Sequence, residues 1–211
     1  MGDSAAYTVC MHVRAVLAAG LLAVVPAITA ASQVDYAALW DGGTPFDTFL
    51  SSVRSRQAQW TSRFANAAID ADALSRARAL PERRRLLVIA EDRCSDSAWV
   101  VPYIAKLAAA VPGRLELRVI SRKAGSGIQE YRTPDGRVAT PTVIVLDENN
   151  RPLGGWAERP AALHAWVIPI KASLSTRELY EKIDKWYADD GGKSTVREIL
   201  QLLEKPQKEG Q

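Results

Sequence analysis

The chain has 211 residues, of which 47% are hydrophobic and 24% are charged, and its formal net charge is +3 at pH 7. This composition allows a buried core, and the length fits one domain with an extension better than two full domains. The basic run at 83–85 lies just before an apolar stretch and is expected to be a solvated flank. No aromatic residues alternate with that run, so a nucleic-acid partner is not expected.

The first 31 residues are predicted to be a secretory signal peptide. A basic start is followed by an uncharged apolar run over 15–28 and by small residues, with Ala30 or Ala31 as cleavage positions. The apolar run is short for a membrane span and contains Pro26, so a retained anchor is the lesser alternative. We therefore expect a periplasmic or secreted protein, with a cytoplasmic location as the less favoured alternative. Membrane contact is expected only if the leader is retained.

Cleavage of this leader would leave a single thiol in the mature chain. Cys10 lies in the leader, where Met11 is an alternative start, and Cys94 is the other cysteine. An oxidising compartment normally favours disulfides, but none can form within a chain that has one cysteine. Such a cysteine is either buried and inert or reactive toward another molecule.

The first predicted element after the leader is a helix that begins in "DGGTPFDTFL". Thr44 is expected to cap it, Pro45 suits its first turn, and Asp47 complements its positive end. Apolar residues at helical spacing predict one buried face, formed by Phe46, Phe49, Leu50, Val53, Trp60 and Phe64. A second, short helix is predicted from "AIDADAL".

The middle of the chain predicts a sheet. "RLLVIAED" is an apolar run typical of a strand covered on both faces, and "SDSAWVVPYIAKLAAAVPG" predicts a helix that ends at Pro112 and Gly113. "LELRVISR" is the next strand, followed by a loop with one helical turn. "TPTVIVLDENNRPLGGWAE" predicts two strands joined by a turn at "ENNR". Strand–helix–strand favours a parallel pair and the hairpin adds antiparallel strands, so the fold class is α/β with a mixed sheet.

The last part of the chain is predicted to be helical. "RPAALHAWV" is expected to form a helix that is broken near Pro169. Two capping boxes, Ser175 with Glu178 and Thr195 with Glu198, predict the starts of two further helices.

Cys94 is the main candidate for a functional residue. It follows a predicted strand and opens a predicted helix, so the free N–H groups and the dipole of that helix favour the thiolate. The neighbouring Arg93 acts in the same direction, whereas Glu91, Asp92 and Asp96 oppose a second anion. Three residues after Cys94, where a redox pair would have a second cysteine, the chain has Ser97.

Two prolines accompany this cysteine. Pro102 lies well inside the predicted helix, where proline is costly, and Thr140–Pro141 precedes the apolar strand "TVIVL". An X–Pro bond is the one peptide bond with an appreciable cis population. No Cys, His, Asp or Glu cluster has metal-ligand spacing, and His164 lacks partner ligands, so neither a metal nor a cofactor is expected.

With its C-x-x-S-x-x-x-x-P spacing and its "TP" before a strand, the chain resembles the thioredoxin-like superfamily. More narrowly, "EDRCSD", "TPTVIVLDE", "GGWAERPAALHAWV" and "WYADDGGKSTVREILQLL" are similar to a bacterial thioredoxin-family group with a long helical tail. The resemblance covers 41–205 and implies a cis-proline at Pro141. It implies a thioredoxin-like domain with an N-terminal helical lead-in over 41–168 and a helical C-terminal extension over 169–205.

The resemblance implies thiol–disulfide exchange with Cys94 as the nucleophile. Ser97 and Asp96 are expected to assist it, and Thr140, Pro141, Arg93 and Trp99 are expected to line the substrate groove. Ser97 cannot resolve a mixed disulfide, although its hydroxyl can hydrogen-bond the thiolate. The expected partners are therefore protein or glutathione thiols and disulfides, in monothiol exchange rather than net reduction.

Two alternatives remain open. The first is a non-catalytic, chaperone-like module that binds peptides by strand pairing beside Thr140 and Pro141. The second is an iron–sulfur cluster held by Cys94 and glutathione between two subunits. The second is weaker, because the "CGFS"-like motif of such proteins is absent.

Overall fold

A computed structural model describes residues 1–2 and 33–206, and the compact unit that holds the sheet and its helices begins at Val34. The predicted leader, including Cys10 and its cleavage positions, falls almost entirely outside the described residues and stays a prediction. In the described part of the chain, no helix combines the length and the apolar character needed to span a membrane.

Five strands form one mixed sheet in the order β1-β3-β2-β4-β5. The strands are β1 (Thr44–Pro45), β2 (Arg84–Ile89), β3 (Leu115–Ile120), β4 (Thr142–Leu146) and β5 (Pro152–Ala157). β2 and β3 are parallel, and the other neighbouring pairs are antiparallel. The predicted parallel pair and the predicted hairpin are therefore confirmed, whereas β1 at the sheet edge was not predicted.

Eight α-helices in the described residues surround the sheet. They are α1 (Tyr36–Asp41), α2 (Phe46–Ser52), α3 (Gln57–Asn66), α4 (Ala71–Arg78), α5 (Ser95–Ala110), α6 (Ala161–Ile170), α7 (Thr176–Asp190) and α8 (Lys193–Leu203). One 3-10 turn, Ala124–Gly127, lies in the loop where a helical turn was predicted. The predicted fold class, a mixed sheet flanked by helices with a helical C-terminal region, is confirmed.

The central strand β2 contributes to a core on each face of the sheet. Leu86 and Val88 belong to the larger apolar cluster, which α2 to α8 help to form, while Leu87 and Ile89 belong to a second cluster that includes Trp40 of α1. Successive side chains of a strand point to opposite faces, so the part of a strand that is covered on both sides carries apolar residues at consecutive positions. This arrangement explains the uninterrupted apolar run in the sequence.

The N-terminal helical prediction was wrong in two details. Thr44 does not cap a helix, because it pairs with Val119 in β1, and α2 begins after Pro45 without a side-chain cap. The single predicted helix is two helices, since Arg56 adopts a left-handed conformation (φ 56°) between α2 and α3. The apolar spacing still places Trp60 in the core, because both helices pack on the same face of the sheet.

Of the two predicted capping boxes, one is present. Ser175 and Glu178 form the reciprocal hydrogen bonds of a capping box at the start of α7. The second prediction is wrong: Gly192 is the N-cap of α8, and Thr195 is buried inside that helix. Glu198 instead accepts hydrogen bonds from the Trp156 indole (2.8 Å) and from a backbone N–H at the start of α6 (2.9 Å).

The predicted end of α6 near Pro169 is confirmed, since the helix ends at Ile170, one residue after the proline. The basic run at 83–85 is only in part a solvated flank, because the Arg84 side chain is buried. Its Nη1 donates to Glu82 (2.8 Å) and its Nε lies 3.4 Å from the carbonyl oxygen of Leu203 at the end of α8. Arg84 therefore ties the first residue of the central strand to the C-terminal helix.

Candidate functional site

Cys94 lies at the carboxyl end of β2 and is the N-cap of α5. Its backbone is extended (φ −74°, ψ 123°), as capping requires, and its Sγ accepts a hydrogen bond from the N–H of Ser97 at 3.4 Å. The thiol also donates to the carbonyl oxygen of Thr140 at 3.2 Å. Cys94 as a residue is half-buried, and its sulfur is held by hydrogen bonds to both groups.

The residue that accepts the thiol hydrogen bond precedes a cis peptide bond, Thr140–Pro141. This turn is anchored at both sides: the carbonyl of Pro141 accepts from the N–H of Glu158 (2.7 Å), and the Thr142 hydroxyl donates to the carbonyl of Ala139 (2.7 Å). The start of β4 and the end of β5 thus hold the Thr140 carbonyl beside Cys94, which is 46 positions away in the chain.

The backbone N–H of Ser97, and not its side chain, contacts the sulfur of Cys94. Its side chain is fully buried, and its hydroxyl has no hydrogen-bond partner among the described residues. The sequence suggested a bond from this hydroxyl to the sulfur, and the structure has the Ser97 N–H in that role instead. Geometry explains the difference, because the third residue of a helix presents its free N–H to the N-cap side chain.

Asp96 is buried in an ion pair. Arg159 Nε and Nη2 donate to the two carboxylate oxygens at 2.9 Å each, and the Tyr187 hydroxyl donates at 3.0 Å. Burial raises the pKa of Asp96 above its ordinary value, and the hydrogen bonds from Arg159 oppose that rise. With its oxygens occupied in this way, the carboxylate links α5 to the end of β5 and to α7.

Glu158 extends this network to the loop that precedes the cis-proline. It is buried, adopts a left-handed conformation (φ 65°), and accepts from Arg137 Nη2 at 2.8 Å. Its carboxylate also lies 3.5 Å from Arg159 Nη2. A continuous set of charges therefore joins the cis-proline turn to the first turn of the cysteine helix.

The segment between α2 and α3, together with Trp60 of α3, binds Asp92, which lies two residues before Cys94. The backbone N–H groups of Arg54 and Ser55 donate to the Asp92 carboxylate at 3.2 and 3.0 Å, and the Trp60 indole donates to the Asp92 carbonyl at 3.0 Å. These backbone hydrogen bonds, led by that of Ser55, lower the pKa of Asp92. Asp92 is therefore engaged in holding the loop.

Trp99 lies on α5 between the N-terminal helices and the tail. Its ring stacks on Tyr187 at a centroid distance of 5.5 Å, and the Arg63 guanidinium lies 3.3 Å above it. Its indole N–H donates to Asp184 at 2.5 Å. Burial lowers the pKa of Arg63 to about 10. The ring thus joins α3, α5 and α7, and these contacts do not include the sulfur.

The sequence did not identify Arg159 or Arg56 as residues near the site, although Arg159 binds Asp96 and Arg56 donates to the carbonyl of Arg93. The signal that could have pointed to Arg159 is its position directly after a strand, although the sequence does not show which acid it meets.

Two other residues singled out in the sequence lie apart from the thiol. His164 is buried, with Nε2 3.0 Å from the carbonyl oxygen of Ala157, and its ring serves the packing of α6 against β5. Pro102 is buried inside α5, which continues for two turns beyond it. Of the predicted site residues, the structure brings Cys94, Ser97 and Thr140 into direct contact.

Comparisons with known proteins agree with this architecture. A family model described as thioredoxin matches residues 43–177. The crystal structure of a protein of unknown function from Pseudomonas aeruginosa is similar with a TM-score of 0.64 at 24% identity, over 82% of this chain and 98% of that one. The crystal structure of an HIV epitope scaffold gives 0.64 at 23% identity, over 81% and 98%. These two identities establish a shared fold alone. No curated protein matches the sequence significantly.

Proposed function

The chain belongs to the thioredoxin family, and from this premise we propose that it carries out thiol–disulfide exchange with Cys94 as its single nucleophile. The observation that carries the proposal is the position of Sγ, in a half-buried residue at the start of α5, between the Ser97 N–H and the Thr140 carbonyl. The Ser97 N–H gives the sulfur a hydrogen-bond donor that stays in place when Cys94 attacks a disulfide.

The proposed reaction has two exchange steps. The Cys94 thiolate attacks one sulfur of a substrate disulfide, forms a mixed disulfide with it, and releases the other sulfur as a thiolate. Ser97 has no sulfur with which to break that bond. A second thiol, either glutathione or the substrate's other cysteine, must therefore attack the mixed disulfide and regenerate Cys94. This chemistry favours deglutathionylation or disulfide shuffling over net reduction.

We assign the remaining site residues supporting roles. Thr140 and Pro141 form the turn against which an extended substrate would lie. Arg93, the residue before Cys94, is exposed, and Trp99 packs the cysteine helix against α3 and α7. Asp96, bound by Arg159, is proposed to position the first turn of α5 rather than to transfer protons.

The finer assignments made from the sequence are also proposals. They are the bacterial C-x-x-S group, the division at 41–168 and 169–205, and export to the periplasm or the medium. N-terminal sequencing of the mature protein tests export: a start near residue 31 supports it, and an intact leader on a cytoplasmic protein contradicts it.

The thiol reaction is tested by labelling in the full chain with Cys10→Ser, so that Cys94 is the single thiol. Fast reaction of the native protein with a disulfide probe below neutral pH, lost in Cys94→Ser, is expected. Labelling that requires denaturant would mean that the sulfur is structural, and the protein would then be the alternative, a peptide-binding module without exchange activity.

A gain-of-function variant tests the groove independently. Ser97→Cys should form a disulfide with Cys94 and give the protein disulfide reductase activity, because the two positions already lie within a hydrogen bond of each other. A Ser97→Ala variant is the matched control, since it changes the same side chain without adding sulfur. If Ser97→Cys forms the disulfide but reduces no protein substrate, the groove does not accept substrates.

A further inference from the structure

We propose that the surface around Cys94 selects acidic protein segments through the guanidinium groups of Arg56 and Arg93. This inference rests on the proposed function, and it adds the class of substrate. A disulfide whose cysteine is flanked by Asp or Glu is expected to react faster than one flanked by Lys or Arg.

Arg93 is the residue directly before the nucleophile and points into solvent. Its side chain is 81% exposed, and its ion pair with Glu91 is long, at 3.8 Å. The Glu91 carboxylate is engaged elsewhere as well, because its Oε1 accepts the N–H of Arg122 at 3.1 Å. The charge of Arg93 is therefore only weakly compensated by the protein.

Arg56 comes from the segment between α2 and α3 and is held beside the same peptide. Its Nε donates to the carbonyl of Arg93 at 2.9 Å, which places the guanidinium next to the peptide bond that leads into Cys94. Its Nη1 donates to Gln59 at 3.1 Å, an uncharged partner. Among residues 33–206, Arg56 forms no ion pair with a carboxylate.

The acidic side chains around Cys94 already accept hydrogen bonds from donors within the protein. Asp92 accepts two backbone N–H groups, Asp96 is paired with Arg159, and Asp184 accepts from the hydroxyl of Ser95 and the indole of Trp99. Their acceptor oxygens are satisfied within the protein, and the charge of Asp96 is balanced by Arg159, whereas the two exposed arginines keep N–H groups that have no acceptor among the described residues. A carboxylate on a bound peptide would supply the missing acceptors.

The test uses three short peptides that differ only beside one cysteine, which is activated as the mixed disulfide with thiopyridine. The flanking residues are Glu, Ser or Lys, and the leaving group is the same uncharged thione in each case. The rate of thione release by the Cys10→Ser protein measures attack by Cys94. We expect the acidic peptide to react about threefold to tenfold faster than the basic one at low salt. The difference should shrink in high salt, because screening weakens it.

Charge removal gives the decisive comparison. Arg56→Gln and Arg93→Gln should each lower the rate of the acidic peptide and raise the rate of the basic one. Structural damage to the site would lower both rates. Arg78→Gln is the matched control. Arg78 lies in the last turn of α4, which comes before the start of β2, whereas Cys94 follows the end of β2. The variant should therefore change neither rate.

The three peptides also separate the two proposals. If the Ser-flanked peptide fails to react with the native protein, the proposed exchange activity is wrong. If it reacts and all three peptides have equal rates, or the basic peptide is fastest, exchange stands and the acidic preference is overturned.

Discussion

Replacing Arg159 by Met should destabilise the protein strongly, because it leaves the carboxylate of Asp96 buried without a counter-charge. The side chains of Asp96 and Arg159 are 5% and 7% exposed, and two hydrogen bonds of 2.9 Å join them. Breaking a buried pair by removing one partner costs about 3–5 kcal/mol. Met retains most of the apolar stem, so lost packing is a small part of this loss.

A double variant separates the buried charge from other causes. In Arg159→Met with Asp96→Asn, the neutral amide keeps an acceptor for the Tyr187 hydroxyl and carries no charge. The double variant should therefore recover about 1–2 kcal/mol of the loss caused by Arg159→Met alone. Urea unfolding at neutral pH, followed by tryptophan fluorescence, measures both quantities.

The pH dependence of stability tests the same cause independently. The pKa of Asp96 is already raised by burial, and the loss of Arg159 removes the groups that oppose the rise. A folded-state pKa above the unfolded value means that the folded protein binds the extra proton, so stability falls as pH rises through that range. The difference in the free energy of unfolding between the single and the double variant should then become smaller toward acid pH. A double variant no more stable than Arg159→Met at any pH would refute a buried carboxylate as the cause.

Four further variants follow from the structure. Gly192→Ala should lower the free energy of unfolding by about 2–4 kcal/mol, because Gly192 has φ 78° and an added Cβ would collide with the ring of Tyr103. Gly113 has φ 81° but open space around it, so Gly113→Ala should lower the same quantity by about 1 kcal/mol in the same assay. The stability that Asp92 contributes relative to Asn should be present at neutral pH and vanish as pH falls through its lowered pKa, in unfolding curves measured across acid pH. Ser97→Ala should be neutral or stabilising by up to about 1 kcal/mol, since its hydroxyl has no partner in the described structure; a clear loss of stability would contradict this expectation.

Local sequence signals predicted the elements that depend on neighbouring residues. The apolar run of β2, the start of α5 at Cys94 and the capping box at Ser175 were all readable, because each depends on contacts within a few residues. Two of the failed predictions involve partners that are distant in the chain. Thr44 pairs with β3 instead of capping a helix, and the Glu198 side chain accepts from Trp156 instead of from the start of its own helix.

The sequence by itself determined that one thiol stands at the end of a buried strand and the start of a helix, with a serine where a second thiol would lie. Only the tertiary structure decided what surrounds that sulfur. The carbonyl of Thr140 is 46 positions away, Arg159 is 63 positions from Asp96, and Arg56 is 37 positions from the carbonyl it binds. Helix and strand periodicity is a property of neighbouring residues, whereas the choice of partner for a charge depends on which elements the sheet and the tail bring side by side.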